Sequence, residues 1–227
     1  MPLPFLSSSS SSVFGQSPLK SWDRARSARS LPPVWQVALA ASKDSAPGGS
    51  IAANGKGAAI ACAGCHGANG VPAAGAPFPR LAGLPVEYIA KQLFDYRDDS
   101  RANAIMVPIA KALTDADIAS LAWHYASLQV PAEAPAAAAP QRGRQLARYG
   151  DNALAIPACV DCHGGNITGG GPILPGLAQP AAYTAAQLDA FRTGERKNDG
   201  DGIMQAIAKR LSDADVKALG EYYGTMP

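Results

Sequence analysis

The feature that most limits how this chain can fold is that it runs through the same pattern twice. GSIAANGKGAAIACAGCHG, residues 49–67, parallels RGRQLARYGDNALAIPACVDCHG, residues 142–164. FPRLAGLPVEYIAKQLFDYR parallels LPGLAQPAAYTAAQLDAFR, and IMVPIAKALTDADIASLAWHYASL parallels IMQAIAKRLSDADVKALGEYYGTM. The offset drifts only between 95 and 98 residues. Two repeats are too few for a solenoid, so they are two copies of one domain. The copies are expected at 49–129 and 141–227. VPAEAPAAAAP, residues 130–140, separates them, and its Pro and Ala content reads as an extended linker.

Each copy predicts the same helices. Thr114 and Ser212 are N-caps, each followed by Asp-Ala-Asp, where acids suit the helix dipole. Ile118, Leu121, Ala122, Tyr125 and Leu128 then recur at helical spacing, as do Val216, Leu219, Tyr223 and Met226. A further helix is expected near 86–97 and again near 181–192. The Gly- and Pro-rich stretches after each CHG read as loops, and no period-2 strand stands out. The fold class is therefore all-α. Aromatics make up only 7% of the chain. Such thin cores suit two small lobes built around something that is not protein.

All four cysteines lie in two C-x-x-C-H units, Cys62/Cys65 with His66 and Cys159/Cys162 with His163. This is the attachment signature of c-type haem. Two thiols three positions apart on a helical turn reach the two vinyl groups of one porphyrin edge. The next side chain, an imidazole, is then placed under the iron. A Cys₄ zinc site would have to unite pairs 94 residues apart and would leave both histidines unexplained. A thioredoxin-type dithiol would want a preceding strand.

Met106 follows His66 by 40 residues and Met204 follows His163 by 41, both in an Ile-Met context. A thioether at this spacing is the expected second axial ligand of a low-spin electron-transfer haem. Met226 ends an apolar helical stripe and reads as packing. His124 falls off its stripe and reads as a surface histidine.

From about residue 49 onward the chain resembles dihaem class I c-type cytochromes of the cytochrome c4 type. The resemblance rests on CAGCHG, FPRLAG, YIAKQL, the IM-x-x-IA-K-x-L segment and the following [ST]DAD. It implies two tandem cytochrome c domains related by a pseudo-twofold axis, each wrapped around one covalently attached haem c. It implies that the carbonyls of Pro79 and Pro175 accept the ring N–H of the proximal histidines. It also implies periplasmic electron transfer, with a quinol–cytochrome c reductase or a dehydrogenase as donor and a terminal oxidase as acceptor. The first copy departs from the pattern in its short, Gly-rich opening helix, so residues 30–48 are candidates to help cover the first haem. Arg80, Arg97 and Arg192 are expected either to pair with haem propionates or to stand in solvent.

Charge and cysteine count exclude other classes. The net charge is +2, and residues 1–40 carry +3 of it, leaving the remainder near −1. Nucleic acid is therefore not the expected partner, because neutralising phosphates needs clustered Lys and Arg. Haem with His and Met ligands leaves no open iron, so a carrier is expected rather than an enzyme. A dihaem peroxidase needs an openable iron. A thiosulfate-oxidising dihaem enzyme would need a cysteine ligand, and attachment uses all four. A cytochrome subunit of a dehydrogenase complex is the alternative reading. Thioether formation places the chain outside the cytoplasmic membrane, and within residues 1–48 a basic stretch, an apolar run and Ala38-Leu39-Ala40 have the order of a secretory leader, the alternative being a disordered N-terminal segment. A periplasmic protein is expected, and peripheral membrane association is compatible with the sequence.

Overall fold

Thr114 and Ser212 start the last helix of each copy by the same device. Each side chain accepts from the N–H of the aspartate three residues on, and Asp117 and Asp215 return the bond to the cap backbone. These reciprocal bonds satisfy donors that a helix start otherwise leaves unpaired. The computed structural model describes residues 39, 44–130, 139–165 and 168–226. The leader-like or disordered segment expected over residues 1–48 lies mostly outside them, as does most of the 130–140 linker; the last three residues of that N-terminal segment open the first helix.

The first copy contains α1 (Ala46–Asn54), α2 (Ala63–His66), α3 (Val86–Arg97), α4 (Met106–Lys111) and α5 (Asp115–Ser127). The second contains α6 (Gln141–Tyr149), α7 (Cys159–His163), α8 (Ala181–Thr193), α9 (Ile203–Ala208) and α10 (Asp213–Gly224). In each, the opening helix crosses the closing one, α1 on α5 and α6 on α10. Glycine permits the crossing. A Cβ on Gly48 would fall 2.1 Å from the Ser120 carbonyl oxygen, and one on Gly143 would fall 2.1 Å from that of Ala218.

The two closing helices organise two apolar cores. Ile51, Ile89, Phe94, Leu113, Ile118, Leu121 and Tyr125 pack in the first, and Leu146, Ile156, Leu211, Val216, Leu219 and Tyr223 in the second. Met226 packs against the second. Leu39 is buried in the first, and its carbonyl oxygen accepts from Trp123 Nε1 at 3.0 Å. α1 is nine residues long, the same as α6, so the short opening helix expected of the first copy is not seen; Leu39, from ahead of that copy, adds to its core.

The class is all-α as expected, with one local difference. After α7, β1 (Gly169–Gly171) pairs antiparallel with β2 (Leu174–Pro175) in a stretch read as loop. A Cβ on Gly170 would fall 2.0 Å from the Cys162 carbonyl oxygen, so glycine lets this ribbon lie against α7. With no side chains to alternate, β1 carries no period-2 signal.

The copies meet through a mostly polar seam. Arg101 donates to Gln92 Oε1 (2.6 Å) in its own copy and to Tyr183 Oη (3.1 Å) and Gln187 Oε1 (2.7 Å) in the other. Arg196 mirrors it, donating to Gln187 Oε1 (2.8 Å), Tyr88 Oη (3.3 Å) and Gln92 Oε1 (3.2 Å). Arg80, also buried, donates from Nε and Nη2 to the Ala178 carbonyl at 3.1 and 3.0 Å. Among the described residues no helix is long and apolar enough to cross a membrane.

Candidate functional site: a cavity shared by the two copies

Each C-x-x-C-H unit folds as about one helical turn, α2 or α7. Glycine ends both: Gly67 and Gly164 have φ of 79° and 74°, a region that side chains with a Cβ disfavour. The turn brings both cysteines and the histidine of each unit onto the wall of one cavity of about 970 Å³. Met106 at the start of α4 and Met204 in α9 line the same cavity. The volume stands at the upper end of the roughly 300–1,000 Å³ of ligand pockets.

His66 Nδ1 lies 2.9 Å from the Pro79 carbonyl oxygen, and His163 Nδ1 lies 2.9 Å from that of Pro175. A carbonyl only accepts, so Nδ1 carries the proton and Nε2 keeps its lone pair. Burial pushes the His66 imidazole below its usual pKa, and the Pro79 contact offsets only part of this. The ring is neutral at pH 7, as a ligating imidazole must be.

Burial pushes the Cys62 and Cys159 thiols up, against smaller contributions from Tyr125 and Tyr223. Those two phenols are buried on the cavity wall, each turned to the first cysteine of its own copy. Arg101 and Arg196 are also buried and line the cavity. The side chains to which these two guanidiniums donate are all neutral: glutamine, tyrosine and asparagine. Two buried cations with neutral partners suit a cofactor that brings its own carboxylates.

The structure therefore brings Cys62, Cys65, His66, Met106, Cys159, Cys162, His163 and Met204 to one cavity, with Pro79 and Pro175 behind the histidines. The arginines differ from expectation. Arg97 pairs with Asp115 at 2.7 Å and Arg192 with Asp213 at 2.6 Å, so each clasps its own closing helix and neither lines the cavity. Arg80 binds the seam. Sequence reasoning passed over Arg101 and Arg196, yet both recur four residues after Arg97 and Arg192. His124 is half-buried, not at the surface as expected; its ring lies edge-on to Tyr125 (centroids 5.0 Å apart), and a Cβ on Gly49 of α1 would fall 3.1 Å from it.

The sequence model of the family described as cytochrome c matches residues 52–129 and again residues 141–226. The chain belongs to the cytochrome c family. Its relatives narrow this to the dihaem cytochrome c4 type. Cytochrome c4 of Pseudomonas aeruginosa is 40% identical over 176 residues, spanning 75% of this chain and 86% of that protein. The thiosulfate dehydrogenase electron acceptor of Thiomonas intermedia is 41% identical over 173 residues, spanning 74% of this chain and 80% of that protein. The crystal structure of reduced cytochrome c4 from Pseudomonas stutzeri superposes with a TM-score of 0.70 at 34% identity, covering 80% of this chain and 97% of that one. A thiosulfate dehydrogenase from Marichromatium purpuratum gives 0.73 at 39% identity, over 81% of this chain and 40% of that one.

A cytochrome c4-type chain carries two covalently bound haem c groups and transfers electrons. The residues present fit them. The cavity offers two cysteine pairs, two imidazoles and two thioethers, with the buried guanidiniums of Arg101 and Arg196 available to haem carboxylates.

Proposed function

We propose that this protein is a single-electron carrier, not an enzyme, in which both haem irons are capped on both faces by the chain. His66 and Met106 are the axial ligands of the first haem, and His163 and Met204 of the second. Cys62, Cys65, Cys159 and Cys162 form the thioethers, and Pro79 and Pro175 hold the imidazoles. The domains run over 49–129, with the start of α1 at Ala46 added ahead of it, and over 141–227, joined by the 130–140 linker. One observation carries the reading: a histidine with its Nδ1 held by a carbonyl and a methionine on the same cavity wall occur in both copies. Haem c bound there supplies a one-electron couple. Histidine–methionine ligation raises its potential relative to bis-histidine. The chain orients the imidazoles and keeps the cavity apolar.

The donor in this reading is a dehydrogenase, and the relatives favour it. One curated relative is named as the electron acceptor of thiosulfate dehydrogenase, and a solved thiosulfate dehydrogenase contains a region of similar fold. Onward transfer goes towards a terminal oxidase, and a quinol–cytochrome c reductase is the competing donor. Haem attachment implies export to the periplasm. The test is to mix the oxidised protein anaerobically with a thiosulfate dehydrogenase and thiosulfate, and in parallel with a quinol–cytochrome c reductase and quinol. Full reduction of both haems within seconds in the first mixture supports the dehydrogenase donor. Reduction only in the second transfers the role to the reductase.

A further inference from the structure

The two methionine segments are held in different ways. In the first copy, Asn103 caps its own segment: Oδ1 accepts from the backbone N–H of Ile105 (3.0 Å) and of Met106 (2.9 Å). Asn198 is the matching residue of the second copy, and three extra residues, Gly200–Gly202, separate it from Met204. Those residues form a 3₁₀ turn with Asp201 at φ 56° and Gly202 at φ 66°. Asn198 is consequently too far along the chain to cap. Asp199 takes over, accepting from Gln205 N at 3.1 Å and from Gln205 Nε2 at 2.8 Å.

The released Asn198 turns to the first domain. Its Nδ2 donates to Gln92 Oε1 (3.0 Å) and to Asp95 Oδ2, and its backbone oxygen accepts from Lys91 Nζ at 2.8 Å. Lys91 is in turn paired with Asp95 one turn along α3. Asp95 is only 5% exposed. In the second copy, alanines 186 and 190 stand where Lys91 and Asp95 do, so α8 presents no such pair to the first copy's loop. The clamp runs one way.

We propose that Asp95, with Lys91, is a positioning residue for the methionine of the other domain. It holds Asn198, and through it the glycine-containing loop that sets Met204, against α3. The inference rests on the axial-ligand reading above. Docking of the domains then stabilises methionine ligation at the second haem, while the first haem's segment holds itself.

The test uses the full haem-loaded protein. Imidazole binds ferric haem only after the methionine leaves, so its binding rate reports how firmly each methionine is held. The hyperfine-shifted methyl resonances of the two ferric haems separate them, with Met106→Ala used for assignment. Asp95→Ala and Asn198→Ala should each speed imidazole binding at the second haem about tenfold, the loss expected for one buried polar partner, and leave the first unchanged. Asp95→Asn keeps the shape and should give a smaller change in the same place, about threefold. Asn103→Ala should speed the first haem alone. An unchanged second haem in Asp95→Asn, or equal acceleration at both haems, overturns the inference. If the unmutated protein shows no methionine-ligated ferric haem, the ligand reading fails first, and this inference with it.

Discussion

Lys56 Nζ lies 2.7 Å from Asp117 Oδ1, reaching from the turn after α1 to the first turn of α5. The second copy keeps the aspartate and moves the cation. The position matching Lys56 holds Asp151, and Arg142 of α6 bridges Asp151 (2.9 Å) and Asp215 (2.6 Å). Both capping aspartates are buried, and a buried carboxylate needs a partner. Each copy supplies one from a different place.

This arrangement sets an acid limit. Burial alone would raise the pKa of Asp117, but the bonds from Lys56 and Thr114 outweigh it, and the net direction is down. Asp215 is lowered likewise, with Arg142 and Ser212 outweighing burial. A folded pKa below the unfolded one gives stability that is complete above the unfolded value and lost as pH falls through the folded one. Unfolding should therefore set in below about pH 4. Asp117→Ala and Asp215→Ala should each cost about 2 kcal/mol at pH 7. Both should also flatten the acid slope in denaturant titrations. An unchanged slope would show that other carboxylates set the limit.

The helix crossings give a second expectation. Alanine at Gly48 or Gly143 must push the closing helix away, at about 2–3 kcal/mol, even though alanine is the better helix former by about 1 kcal/mol. Gly49→Ala is the neighbouring comparison, because its added carbon meets only the movable His124 ring. It should cost under about 1 kcal/mol. Guanidinium unfolding of the three variants measures the difference.

The seam gives a third. Gln92 and Gln187 each accept from both Arg101 and Arg196. Arg101→Leu and Arg196→Leu should each cost about 2–4 kcal/mol, and the double variant should cost less than the sum, since the two share acceptors. Calorimetry should show one transition in the unmutated protein and two in the variants. A single transition in the double variant would mean that the seam does not couple the domains.

Much of this was legible in the sequence because it is local. A cap followed by Asp-Ala-Asp, and a C-x-x-C-H turn, carry their geometry within a few residues. The duplication turned single hints into pairs, most usefully for Met106 and Met204. The misread residues depend on what the chain folds against. Arg97 and Arg192 look like any cavity arginine until Asp115 and Asp213 are found beside them. Asn103 and Asn198 match in sequence and differ in role, because three inserted residues moved one of them out of capping range. His124 looked exposed because nothing in its own helix shows α1 crossing there.

The central claim is two histidine–methionine haems in one chain. The most direct test is a pyridine haemochrome count with the ferric far-red band, run on the unmutated protein beside Met106→Ala and Met204→Ala. The account predicts two c-type haems per chain and a far-red band halved in each variant. One haem per chain, or a high-spin iron in the unmutated protein, would contradict it.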